Sequence, residues 1–151
     1  MHRVPEFVAI LEDDTRRVTA MQACLARLLP AAQQVFFDEA GAMISWLGQN
    51  LGQVVLISLD HDLPLRDESG QTIDCGTGRD VVDYLATVPP TCPVIVHSSN
   101  IDRAPGMFFA LKASGWPCIR VCPCDDLTWI SAGWQDAVNR FASDGWIAKA
   151  P

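Results

Sequence analysis

Three short stretches hold the side chains best suited to chemistry: Glu12-Asp13-Asp14, Asp60-His61-Asp62 and His97-Ser98-Ser99-Asn100. Each follows an apolar run, and the change at "VVLISL" (54–59) into Asp60 is abrupt. Carboxylates gathered within a few ångströms repel one another unless a cation lies between them. Hard oxygen ligands select Mg2+ or Mn2+ over zinc or copper, and Mg2+ held by few carboxylates keeps positions open for phosphate oxygens. The competing explanation for an acidic run is local: Asp13 or Asp14 caps the following helix. Two acidic runs together with a His-Ser-x-Asn tip favour a site, provided the chain brings them together.

The elements that must do so alternate in type. Strands are expected at 6–11, 32–37, 54–59, 92–99 and 118–122, from short β-rich apolar runs. Helices are expected between and after them. The first follows Asp14, with Val18, Met21, Leu25, Leu28 and Leu29 on one face and Pro30 as the stop. The others fall at 38–50, with Asp38 as its N-cap, at 78–88, at 102–115 with an irregular start at Pro105-Gly106, and at 127–143. The polar, Gly-containing segment 64–78 reads as a loop. Such alternation predicts an α/β fold, a doubly wound five-stranded parallel sheet covered by helices on both faces. Ligands of such sheets bind at the carboxyl ends of the strands, and the three stretches lie there.

The 151 residues are expected to form a single domain, 1–151, with no internal repeat or linker. The net charge of -7 gives no broad attraction for nucleic acid or for an anionic membrane. No apolar run approaches the roughly 20 residues that cross a bilayer. The N-terminal "EFVAIL" reads as a first strand and not as a signal peptide, which places the chain in the cytoplasm. The six cysteines then read as free thiols, and the spacing of Cys118, Cys122 and Cys124 is not that of a zinc site. His2 reads as a loose terminus. Trp116 precedes the fifth strand, at the wrong end of the sheet for a base-stacking platform; Trp129 and Trp134 read as core or interface residues.

Over nearly its whole length the sequence resembles the response-regulator receiver domain. Glu12 and Asp13 in "ILEDD" match the acidic pair after the first strand, and Asp60 in "ISLDHDLP" matches the phosphate-accepting aspartate. Ser98 in "PVIVHSS" matches the Ser or Thr that ends the fourth strand, and "GTGRDVVDYL" matches a helix start. The resemblance implies strand order 2-1-3-4-5. At the end of the fifth strand "RVCP" keeps Pro123 but has Cys122 in place of the lysine that pairs with the phosphate. The combination "LDHDL", "TG-D" and "HSSN" is similar to an offshoot, the cyclic-phosphate processing receiver domain.

That resemblance implies a reaction, the opening of a cyclic phosphodiester in a cyclic nucleotide or an RNA 2′,3′-cyclic phosphate end. The reaction needs an activated water, neutralised phosphoryl oxygens and a proton for the leaving alkoxide. Mg2+ or Mn2+ at Glu12, Asp13 and Asp60, with Asp62 in or behind the shell, is expected to supply the first two. His61 or His97 is expected to supply the third; if Ser98 faces the site, strand alternation turns His97 to the other face. Ser98 and Asn100 are expected to hold phosphoryl oxygens, and Arg17 either joins them or forms a surface salt bridge. Asp60 has a second role open to it, as a nucleophile that becomes an aspartyl phosphate. The expected partner is a phosphate-bearing small molecule or RNA end. The alternative is an atypical receiver or pseudo-receiver that acts as a signalling module, with a protein partner or a homodimer.

Overall fold

Strand alternation decides which residues meet at the edge of this sheet. The computed structural model describes residues 3–124 and 126–147; His2 lies outside them. Five parallel strands form the sheet: β1 (Phe7–Leu11), β2 (Gln33–Phe37), β3 (Val54–Leu59), β6 (Val94–His97) and β7 (Cys118–Val121), in the order β2-β1-β3-β6-β7. The expected doubly wound sheet with order 2-1-3-4-5 is therefore present. Ala9, Leu11, Ile57, Leu59, Val94 and Val96 point to one face, where α2 (Ala40–Asn50), α3 (Gly78–Leu85) and α4 (Ala104–Ala113) cover them. Val8, Ile10, Leu56 and Ile95 point to the other, under α1 (Thr15–Leu28) and α5 (Gln135–Ser143). Each of the fully buried Val, Leu and Ile side chains among these contributes about 1.5–3 kcal/mol relative to exposure.

Helix ends follow local chemistry. Asp14 accepts hydrogen bonds from the Arg16 and Arg17 amides and caps α1. Thr77 and Asp80 form a reciprocal capping box at the start of α3. Asp38 is not the cap of α2, because that helix starts later, at Ala40; Asp38 instead receives Arg66 Nη1 at 3.1 Å. Pro105 fits the first turn of α4, where no amide donor is needed, so the expected irregular start is a regular one.

Segment 64–78 is more ordered than expected of a loop. It contains an antiparallel hairpin, β4 (Arg66–Glu68) with β5 (Gln71–Ile73), turned at Ser69 and Gly70, both with positive φ. Arg66 ties the hairpin back to α2 through Asp38 and Glu39. The last helical stretch opens with a π-helical segment, Ile130–Trp134, before α5. This extra winding sets Trp134 over β3, where its Nε1 donates to Ser58 Oγ at 3.0 Å. Ser58 Oγ is also 2.6 Å from His97 Nδ1, and Ser58, His97 and Trp134 are all fully buried. Removing the hydroxyl in Ser58→Ala leaves two buried polar groups without a partner. The expected loss is about 2 kcal/mol, read as a lower urea midpoint with an unchanged slope.

Candidate functional site

The same alternation that buries Ile10 and Leu56 sends Glu12, Asp60 and His97 to the α1–α5 side of the strand ends. One ligand atom from each lies within 4.8 Å of the others, the one such group of His, Cys, Asp or Glu residues among the described residues. Glu12 is 2 % exposed and Asp60 7 %, so both carboxylates sit largely out of water. Glu12 Oε2 accepts from the Asp13 and Asp14 amides at 3.0 and 3.1 Å. His97 Nε2 stands 3.3 Å from Glu12 Oε1, close but without the alignment of a good hydrogen bond. In the tautomer that satisfies both Ser58 contacts, Trp134 donates to Ser58, Ser58 donates to Nδ1, and the ring proton sits on Nε2, toward Glu12.

Arg17 and Trp129 complete this side. Arg17 Nη1 lies 3.3 Å from Glu12 Oε1 and 3.7 Å from Asp60 Oδ2, and its guanidinium stands over the Trp129 ring at 5.4 Å. Trp129 also stacks on His97, with centroids 5.8 Å apart. Arg17 is thus in the pocket and not in a surface pair. It supplies from α1 a cation facing Asp60, while Cys122, at the tip of β7, is an exposed thiol.

The two carboxylates respond in opposite directions. Burial pushes Asp60 up to about 6, opposed by the charge of His97, reinforced by Glu12, and opposed again by the His61 amide and Arg17. Burial also pushes Glu12 upward, but the approach of His97, the Asp14 amide and Arg17 outweigh it, and the net direction is down. Asp13, half-buried, is raised by burial first and then by repulsion from Glu12. Its carboxylate is not part of the converging group.

His61 turns the other way, toward α3 and α4. Its amide donates to Asp60 Oδ1 at 2.7 Å, while its ring lines a cavity with residues of α3 and α4. Its Nδ1 is 2.7 Å from Asp62 Oδ1. Asn100 Nδ2 holds both oxygens of Asp62 at 3.2 Å, and Asn100 Oδ1 accepts from the Asp102 and Arg103 amides. The hydrogen bond from His61, then that from Asn100, hold Asp62 below the usual carboxylate range despite some burial.

These contacts reassign several expected roles. Asp62 orients His61 and is not part of the converging group. Asn100 is engaged with Asp62 and with the turn into α4, where one N–H of its amide is shared between the two Asp62 oxygens. His97 is on the acidic side, as alternation allowed, but it is fully buried and out of reach of a solvent-borne substrate. Ser98 Oγ accepts the Asn100 amide at 3.1 Å and keeps its own proton to donate. Ser58, Trp129 and Trp134 belong to the site and carried no sequence signal beyond Ser58 being the one hydroxyl in an apolar strand.

A divalent ion fits this donor set in part. Glu12 and Asp60 offer hard oxygens, whereas His97 Nε2, protonated in the tautomer that satisfies Ser58, offers the ion no lone pair. Arg17 must move aside for an ion to take both carboxylates, since its Nη1 lies within 4 Å of each.

The fold is that of response-regulator receiver domains. The phosphorylated cyanobacterial phytochrome response regulator RcpA shares the fold with a TM-score of 0.70 and 19 % identity, covering 98 % of each chain. The Mn2+-bound response regulator Rcp1 has a TM-score of 0.66 and 18 % identity, covering 97 % of this chain and 98 % of its own. CheY, in a CheX-CheY-BeF3-Mg complex from Borrelia burgdorferi, has a TM-score of 0.64 and 11 % identity, covering 94 % of this chain and 90 % of that one. No curated protein matches the sequence. Within the receivers the chain belongs to the cyclic-phosphate processing receiver domain family, whose model matches residues 8–113. No helix among the described residues is long and apolar enough to cross a membrane.

Proposed function

We propose that this protein binds a divalent cation at Glu12 and Asp60 and opens cyclic phosphodiesters at the tip of β3. The observation that carries the reading is the convergence of two buried carboxylates at the end of β3, with His61, oriented by Asp62, one peptide unit away on the other side of the strand. The family's name and the Mn2+ found in Rcp1 support it. Bound there, Mg2+ or Mn2+ supplies neutralisation of the phosphoryl oxygens and a water acidic enough to attack. Asp13, half-buried next to Glu12, would add negative charge near the ion.

The chain's own residues do the rest. Asp62 accepts from Nδ1 of His61, so the imidazolium form carries its second proton on Nε2 and gives it to the leaving oxygen as the P–O bond of the ring breaks. The attacking water forms the new P–O bond and releases its proton to solvent. Ser98 donates its hydroxyl proton to a phosphoryl oxygen. Arg17 holds the carboxylates together before the ion enters and then turns to the phosphate. His97 positions Glu12 and does not touch substrate.

Incubation with 2′,3′-cyclic nucleotides and cyclic-phosphate RNA ends, with Mg2+ or Mn2+, tests the reading. Ring opening should require metal, vanish in Asp60→Ala, and fall by about 100-fold in His61→Asn. Absence of turnover with either metal overturns it.

A second reading rests on Arg17, a cation 3.7 Å from Asp60 that is placed to accompany a phosphoryl group on that carboxylate. On this reading the protein is a signalling module. Acetyl phosphate should then give a base-labile adduct that is missing from Asp60→Asn.

A further inference from the structure

A cavity of about 400 Å³ opens between the starts of α3 and α4, on the opposite side of β3 from the acidic group. His61, Arg79 and Arg103 line it, and Gly106 forms part of its wall. From this we infer a phosphate-binding subsite, separate from the reacting phosphoryl group on the acidic side, that holds a second anionic group of the substrate through the Arg79 and Arg103 guanidinium groups. The inference rests on the proposed function only for the reaction that follows; the binding itself needs no metal.

The polar groups around the cavity are arranged to leave the positive ones available. Arg79 Nε is tied to Asp83 Oδ1 at 2.8 Å, which orients the guanidinium and leaves its Nη atoms unspent. Arg103 forms no ion pair among the described residues. His61 is 9 % exposed, its Nδ1 is taken by Asp62, and its Nε2 makes no hydrogen bond among the described residues. Of the nearby carboxylates, Asp62 is taken up by His61 and Asn100, and Asp80 by the Thr77 amide at 2.9 Å. Asp80 and Asp102 both line the cavity and oppose the anion, and the Asp102 carboxylate has no hydrogen bond among the described residues. Gly106 keeps the space open: a Cβ there would lie 3.3 Å from Arg79 Nη1. On a chain of net charge -7, two arginines lining one cavity are a local exception, and their planar donors match phosphoryl oxygens.

Inorganic phosphate, and separately 2′,3′-cyclic AMP, titrated in EDTA into the 15N-labelled protein test the subsite. Amides of Thr77–Asp80 and Asp102–Gly106 should shift saturably. The double variant Arg79→Gln, Arg103→Gln should weaken binding by about tenfold or more, because both charge-assisted donors are lost. Asp102→Asn should tighten it, and Asp60→Asn should leave it within about twofold. The dispersion of the same spectra reports folding, and Arg103→Gln alone serves if the double variant does not fold. No saturable shift, equal binding by the double variant, or shifts confined to the Glu12–Arg17 side overturn the subsite. Phosphate binding here without any turnover leaves the subsite standing while the proposed reaction falls.

Discussion

In EDTA at pH 8, Asp60→Asn should be more stable than the unsubstituted protein by about 2–3 kcal/mol, and the gap should close as the pH falls to about 4. The cause is the raised acidity constant of a buried carboxylate. Asp60 titrates at about 6 in the fold and near the ordinary 3.8 when unfolded. Between these values the folded state holds a proton that the unfolded state has released, so stability falls as pH rises through the window. About two units correspond to about 3 kcal/mol, and the remaining exposure and Arg17 reduce this somewhat. Asparagine has no charge to desolvate and keeps an oxygen for the His61 amide. Millimolar Mg2+ or Mn2+ should reverse the order. A cation that binds only the folded state at a hundredfold excess over its dissociation constant adds about 2.7 kcal/mol, and the variant should lose most of that gain. Urea melts of both proteins at pH 4, 6 and 8, with EDTA and with metal, give all the terms. Equal metal gains in the two would remove Asp60 from the ligand set, and a pH-independent gap would remove its buried charge.

The larger structural effect should come from Gly78→Ala. A Cβ on Gly78 would lie 1.9 Å from the carbonyl oxygen of Asp60 and 2.8 Å from Met107 Cε. Methionine can swing away, but the carbonyl belongs to the end of β3, and the Gly78 amide donates to the very next carbonyl, that of His61, at 2.9 Å. Relief therefore requires α3 to lift from the strand end. Overpacking of a rigid contact costs about 3 kcal/mol, occasionally more, and here it also displaces Asp60 and His61. A urea melt should show the loss, and His61 ring resonances should move with it. Gly41→Ala is the control: nothing lies within 4 Å of its Cβ, and a helical glycine replaced by alanine should be neutral or gain about 0.5 kcal/mol. Equal stability of Gly78→Ala and the unsubstituted protein would mean that the close approach is not rigid.

Legibility in the sequence followed the range of the forces involved. Strands and helices were readable because apolar periodicity is local, and Glu12 and Asp60 because both end apolar runs. The hairpin was not, since Arg66–Glu68 and Gln71–Ile73 show almost no apolar alternation and resemble loop composition. Asp38 as a cap was a fair local reading, overridden by Arg66 from 28 residues away. The Ser58–His97 and Ser58–Trp134 bonds span 39 and 76 residues, beyond any pattern along the chain. Arg17 misled for the same reason: its i+4 spacing from Asp13 suggests a surface pair, and only the packing of Trp129 against it reveals a pocket.

Asp60 and His61 are consecutive, yet one serves the α1–α5 side and the other the α3–α4 side. The two halves of the site are therefore joined by a single peptide unit, and their assignment is a matter of parity. Inserting or deleting one residue within 54–60 would exchange the sides and bury the imidazole among carboxylates. Inheritance should accordingly tolerate changes of side chain in β3 far better than changes of its length. The hairpin 66–73 is free of that constraint, because it is pinned to α2 by the ion pairs of one arginine. Variation in length between descendants of this chain should collect there, a few residues downstream of a segment whose count cannot drift.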